Sequence, residues 1–110
     1  MKYVVNEKTI NANESFLVGH LTVSYSTLVE IFGQPNEGDG IKTDAEWVVE
    51  FEDGTVATIY NYKNGMAYLG RYGSEVEDIT KWNIGGHKKI AATLIADIIN
   101  QHTKTVLNTY

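Results

Sequence analysis

AEWVVEFEDGTVATIYNY, residues Ala45 to Tyr62, places two runs of β-branched and aromatic residues on either side of Asp53-Gly54. Asp-Gly supplies the positive φ angles of a two-residue hairpin turn, and the flanking runs have the composition of paired strands. With that turn Phe51 opposes Val56, Val49 opposes Thr58 and Trp47 opposes Tyr60, while Val48, Glu50, Ala57 and Ile59 point the other way. One face is then rich in aromatics and needs a cover. A lone hairpin is marginal in water, so the rest of the chain has to bring further strands and helices to it.

Upstream, Lys2–Val5 has the character of an edge strand, and the polar stretch Asn6–Ser15 that of a loop. Phe16–Val23 reads as a strand in which Gly19 marks a bulge or a close approach. Ser24 caps a helix that runs from Tyr25 to Phe32 and ends at Gly33-Gln34-Pro35, since Gly favours a left-handed cap and Pro cannot continue the ladder. Asn36–Thr43 is a glycine-containing connector into the hairpin. Downstream, Lys63–Asp78, punctuated by Gly65, Gly70 and Gly73, fits a second short hairpin or a surface loop. Ile79–Ile84 alternates as a strand and Gly85-Gly86 breaks it. From His87 to His102, Ile90, Ala91, Leu94, Ile95, Ile98 and Ile99 recur at helical spacing, and Val106-Leu107 offers a last apolar pair to pack back. The fold class expected is α+β: a small antiparallel sheet built on the central hairpin, covered by a long C-terminal helix and a shorter one, in a single domain over residues 1–110.

A hydrophobic content of 43% with a single proline rules out a disordered chain. There is no cysteine, so disulfides and thiolate metal sites cannot form. The first residues lack the apolar core of a signal peptide, and no stretch reaches the ~20 apolar residues of a membrane span, so a soluble cytoplasmic protein is expected. A formal charge of −5 disfavours direct nucleic-acid binding, which needs clustered Lys and Arg. His20, His87 and His102 are too dispersed for a metal-ligand spacing, and no cofactor motif is present.

The strongest local anomaly is Trp82-Asn83-Ile84-Gly85-Gly86-His87-Lys88-Lys89, which sets two lysines in the first turn of the expected helix, where the dipole disfavours cations. A strand ending in Gly-Gly before a helix can present free N–H groups to a phosphate, with His87, Lys88 and Lys89 adding charge-assisted donors. The plainer reading is that Gly85-Gly86 turns the chain and the lysines are solvated. Tyr60, Tyr62, Trp47 and Trp82 can form an aromatic floor for a base, or belong to the core. Lys63, and Arg71 beside Tyr72, offer further cationic and stacking groups. Gly85, Gly86, His87, Lys88, Lys89, Trp82, Tyr60, Tyr62, Lys63 and Arg71 are thus the candidate ligand-binding residues, and no catalytic or metal set can be named.

The stretches SYSTLVEIFGQP, KTDAEWVVEFEDGTVATIYNYK and ITKWNIGGHKK together resemble a family of small bacteriophage proteins that share an FGxP turn, a WxxxFxDGTVATIY hairpin and a WxIGG end. The resemblance covers residues 16–90 and carries no catalytic motif. By analogy with phage accessory proteins of this size, it implies counter-defence in the cytoplasm of an infected bacterial cell. The expectation is a binding protein that sequesters a nucleotide-derived immune signal, ADP-ribose-like or a cyclic nucleotide, without cleaving it. The alternative is an inhibitor of a host defence protein of the CRISPR or restriction type, and a small phosphodiesterase-like enzyme comes third. A DNA mimic needs a denser acidic surface than this chain has, which favours the small ligand. Enclosing a nucleotide with so short a chain favours a homo-oligomer.

Overall fold

The computed structural model describes residues 1–109, with side chains as far as Thr105, so the Val106-Leu107 pair lies outside the described side chains. Six strands, β1 (Tyr3–Val5), β2 (Phe16–Thr22), β3 (Asn36–Glu37), β4 (Ala45–Phe51), β5 (Val56–Tyr60) and β6 (Lys81–Gly86), form one antiparallel sheet. Its order is β1-β4-β5-β6-β2, with β3 paired to the upstream end of β4. Three α-helices, α1 (Tyr25–Phe32), α2 (Met66–Leu69) and α3 (Ile90–Thr109), complete the α+β fold expected from the sequence.

The core lies between one face of the sheet and α1 and α3. Trp47, Val49, Phe51, Ala57, Ile59, Trp82 and Ile84 meet Leu28 and Phe32 of α1 and Ala91, Ile95 and Ile99 of α3. Trp47 and Trp82 pack edge to face at 5.5 Å, and both indole N–H groups are satisfied, by the Gly33 and Val23 carbonyls. Burying two indoles with their polar atoms paired contributes several kcal/mol to a core of this size. Ser24 caps α1 as expected, its Oγ accepting from the Thr27 N–H at 3.1 Å. The β2–β6 register slips between Leu17 and Gly19, and a Cβ at Gly19 would come within 2.9 Å of Ala92, so that glycine admits α3 against the sheet.

The hairpin forms where expected but in another register. Glu50 pairs with Val56, Val49 with Ala57, Trp47 with Ile59 and Glu46 with Tyr60. The loop has three residues, Glu52 to Gly54: the Gly54 N–H donates to the Phe51 carbonyl at 2.9 Å, and the Phe51 N–H to the Thr55 carbonyl at 2.8 Å. A two-residue turn needs positive φ at both Asp53 and Gly54, whereas only Gly54 has it, at 90°. Asp53 instead accepts the Thr55 N–H on its carboxylate at 2.9 Å, favouring a turn followed by a left-handed glycine. One added loop residue turns β5 over relative to β4. Tyr60 therefore leaves the Trp47 face and joins Glu46 on the opposite one.

Three further expectations are corrected. Gly85-Gly86 does not break the strand: β6 continues through both, paired to β5 on one side and β2 on the other. The C-terminal helix starts at Ile90 rather than His87, after a turn at His87–Lys89. Lys63–Asp78 forms neither hairpin nor plain loop, but α2 followed by 3-10 turns at Gly70–Tyr72 and Val76–Asp78.

Candidate functional site

The face of the sheet opposite the helices carries one continuous polar row. Asn36 pairs with Glu46, Glu46 with Tyr60, Tyr60 with Asn83, and Asn83 with His20, which crosses β3, β4, β5, β6 and β2 at one level. Side chains at paired positions project to the same side, so these groups form a stripe; from Glu46 to His20 it spans three strand spacings, roughly 14 Å. In the next row Gly85 faces Thr58, and a Cβ there would stand 2.5 Å from the Thr58 hydroxyl and 3.5 Å from the Tyr60 ring. The missing side chain lets Tyr60 lie over the strand beside it.

Above the Glu46 end the face is walled into a hollow of about 620 Å³, bounded by Glu37–Thr43 on one side and Ala12–Ser15 on the other, with Glu46, Thr58 and Tyr60 below and Tyr62 at the end. The Asp39 carboxylate shapes the first wall by accepting the N–H groups of Ile41, Lys42 and Thr43 at 2.8 to 3.0 Å. The Thr43 hydroxyl accepts the Asp39 N–H in return at 2.7 Å. Those donors hold the Asp39 carboxyl down at about 2, so it is an anion at neutral pH. The stretch expected to be only a connector is thus an internally bonded loop.

Asn61, fully buried, fixes that loop to the end of β5. Its Oδ1 accepts the Asp44 and Ala45 N–H groups, and its Nδ2 donates to Asp44 Oδ1 at 2.7 Å and Asn64 Oδ1 at 3.1 Å. Asp44 Oδ2 accepts the Ala67 N–H, extending the clip to α2. One buried amide therefore ties the end of the Glu37–Thr43 wall to the segment that follows β5.

Glu46 is half-buried at the floor, and its carboxyl is pushed above the usual range, first by desolvation and then by the Asp39 charge. With Glu37, Asp39 and Glu46 against Lys42 alone, the hollow is net acidic. It suits hydroxyl, amino or amide donors next to an aromatic surface. A carboxylate can take both hydroxyls of a ribose, and tyrosines can stack on a base.

The expected site residues separate in the fold. Tyr60 and Tyr62 line the hollow, and Lys63 lies beside them, with Nζ 5.2 Å from the Tyr62 and Tyr68 ring centres. Arg71 stacks on Tyr72 at 5.0 Å, and both are exposed. Trp82, like Trp47, is core and offers no platform. The Gly85 and Gly86 backbone runs within the ladders to β2 and β5. A Cβ at Gly86 would meet Ala91 at 2.7 Å, so this glycine serves helix packing. His87 Nε2 contacts the Asn13 carbonyl at 2.7 Å, Lys88 sits by the hairpin loop near Asp53, and Lys89 is exposed. These residues do not converge on an anion.

Glu46, Asp39, Asn83 and His20 were not among the candidates, and only the pairing register brings Glu46, Asn83 and His20 into line with Tyr60. Among the described residues, no group of three or more His, Asp or Glu side chains is placed to hold a metal ion, and no helix is long and apolar enough to cross a membrane. No protein-family model and no curated protein matches this chain.

Proposed function

We propose that the protein is a non-catalytic binding module that holds a nucleotide-derived signal on the open face of its sheet, with the nucleoside in the hollow between Asp39 and Tyr60. The carrying observation is the hollow itself: about 620 Å³, with a desolvated carboxyl at its floor and Tyr60 and Tyr62 beside it. That volume falls in the range of small-molecule sites, and perturbed carboxyls in clefts are recurrent features of functional sites. Glu46 accepts the ribose hydroxyls or an exocyclic amine, and the tyrosine rings stack on the base. The role is sequestration of an immune signal by a phage protein in the cytoplasm of its host, the context that the sequence resemblance implies. A homo-oligomer belongs to the same proposal, since β2 is an outer strand with Phe16 and Leu17 half exposed and ready to pair with another copy.

A second reading has its own support. Met66, Tyr68, Leu69 and Tyr72 are all exposed on α2 and the turn after it, an apolar ridge of the kind that docks on a protein partner such as a defence effector. Calorimetric titration of adenosine and ADP-ribose into the parent, Glu46→Gln and Tyr60→Ala, with mass spectrometry for turnover, separates the readings. Binding weakened about tenfold or more in both variants, with ligand recovered intact, is the expected result. An absence of binding in the parent would transfer weight to the ridge, and cleaved ligand would make the protein an enzyme.

A further inference from the structure

Tyr62 is a wall shared by two depressions on the open face. The second, of about 400 Å³, lies at the other end of the polar row and is lined by His20, Asn64, Lys81 and Asn83, with no carboxylate among its lining residues. Its polarity is the reverse of the first hollow, which holds Glu37, Asp39 and Glu46. Across the strands the face thus changes from acidic to basic, with Tyr60 and Tyr62 between.

The side chains at the basic end are arranged as donors. His20 Nδ1 and Asn83 Oδ1 are 3.1 Å apart, and because Oδ1 only accepts, the proton of that bond is on Nδ1. That bond holds the Asn83 side chain in place and leaves its Nδ2 as a donor for a ligand. The Lys81 ammonium is a second donor, and Asn64 Nδ2 holds the Lys81 backbone through its carbonyl at 3.0 Å. Lys63, over the Tyr62 ring, adds positive charge at the shared wall.

We infer that this second depression is the phosphate subsite of the same ligand, which is therefore a phosphorylated nucleoside lying across the strands. The inference rests on the nucleoside reading of the first hollow. Phosphate oxygens accept from Lys81 and from Asn83, which His20 holds in place, while the base and ribose stay at Tyr60 and Glu46. Two strand spacings, roughly 10 Å, separate the Tyr60 and His20 positions, a distance that one nucleotide bridges. The arrangement also resolves how a net acidic protein holds a phosphate: the anion sits at the end of the row away from Glu46 and Asp39.

Calorimetry with adenosine and AMP tests it, on the parent, on the double variant His20→Ala/Lys81→Ala, and on Lys88→Ala/Lys89→Ala as a cationic control outside the row. AMP should bind the parent at least tenfold more tightly than adenosine, and rising salt should erode that advantage. The His20/Lys81 variant should lose the advantage, and the Lys88/Lys89 control should keep it with the same melting temperature. Equal affinity of the parent for AMP and adenosine would overturn the phosphate subsite and leave the nucleoside reading standing. An equal loss in the control pair would also overturn it, by reducing the effect to general charge. Failure of both ligands to bind the parent would overturn the reading of the hollow and the subsite with it.

Discussion

Tyr60 stands directly across the β4–β5 ladder from Glu46, on the face of the sheet opposite α1 and α3. The tyrosine ring and the loop above help to exclude water from the carboxyl, and that desolvation raises it above its usual range. A half-buried carboxyl with no hydrogen-bond partner among the described residues opposes folding, and such local costs tend to persist where a ligand repays them.

Gly54→Val tests the hairpin. Gly54 has φ of 90°, a region that costs a residue with Cβ about 1–2 kcal/mol, and more for a β-branched one. The variant should unfold at lower denaturant concentration by at least that amount. Cross-strand NOEs in the parent should link the α-protons of Val48 and Thr58, a non-hydrogen-bonded pair of the register that a three-residue loop dictates. A Val49–Thr58 pairing would restore the two-residue turn and return Tyr60 to the Trp47 face.

Asn61→Ala should be among the most damaging polar substitutions in the chain. It removes an amide that makes four hydrogen bonds in a buried setting and leaves Asp44 and the Ala45 N–H without that partner. The expected loss is on the order of 3 kcal/mol by chemical denaturation, because several buried groups lose their partner at once. A loss below about 0.5 kcal/mol would mean that water substitutes for the side chain and the clip is not what holds the hollow open.

Gly86→Val and Lys88→Ala/Lys89→Ala should behave oppositely to each other. At Gly86 the new Cβ collides with Ala91 on α3, so the cost is to the fold, typically 1–3 kcal/mol for overpacking, with ligand affinity falling only through unfolding. The two lysines are exposed, so their removal should shift stability by no more than about 0.5 kcal/mol. Melting curves on both variants check the pair. A stability change in the lysine variant larger than that in Gly86→Val would show that the turn before α3 carries a structural charge contact.

Asp39→Ala should release the wall of the hollow. Its carboxylate accepts the N–H groups of Ile41, Lys42 and Thr43, so amide exchange at those three positions should accelerate in the variant. The pH dependence has a defined sign. The folded carboxyl titrates at about 2 against 3.8 for the free group, so its stabilisation is complete above 3.8 and is lost as pH falls toward 2. Protection of these amides that persisted at pH 2 would assign the loop geometry to backbone bonds alone.

Much of this fold was legible because periodicity and punctuation agree: Ser24, Gly33 and Pro35 delimit α1, and Trp47, Val49 and Phe51 alternate as a half-buried strand must. The site was legible only in part. Tyr60 and Tyr62 could be named from their chemistry, but their partners depend on a loop of three residues rather than two, a difference set by the Asp53 bond to Thr55. Gly85-Gly86 misled for a related reason. Consecutive glycines read locally as a break, yet here each is excluded from carrying a side chain by a different neighbour, Thr58 on one face and Ala91 on the other. Non-local contacts of that kind leave no mark in local sequence pattern.

Glu46→Gln should separate stability from binding. Burial and the Asp39 charge raise the folded carboxyl above its unfolded value of 4.5, so the folded state keeps the proton to higher pH than the unfolded state does. Stability then falls as pH rises from 4.5 through the folded value, and the destabilisation is complete above it. Glutamine removes this cost. The variant should melt at or above the parent temperature at pH 7, and the gain should vanish below pH 4.5. Affinity for adenosine should move the other way, falling about tenfold, since hydrogen bonds to a charged group contribute about 1.5–3 kcal/mol. Melting curves across the pH range and calorimetry at pH 7 decide between two roles. A variant that is less stable at neutral pH and binds as well as the parent would make Glu46 a structural carboxyl, and the polar row would lose its acidic end as a ligand contact.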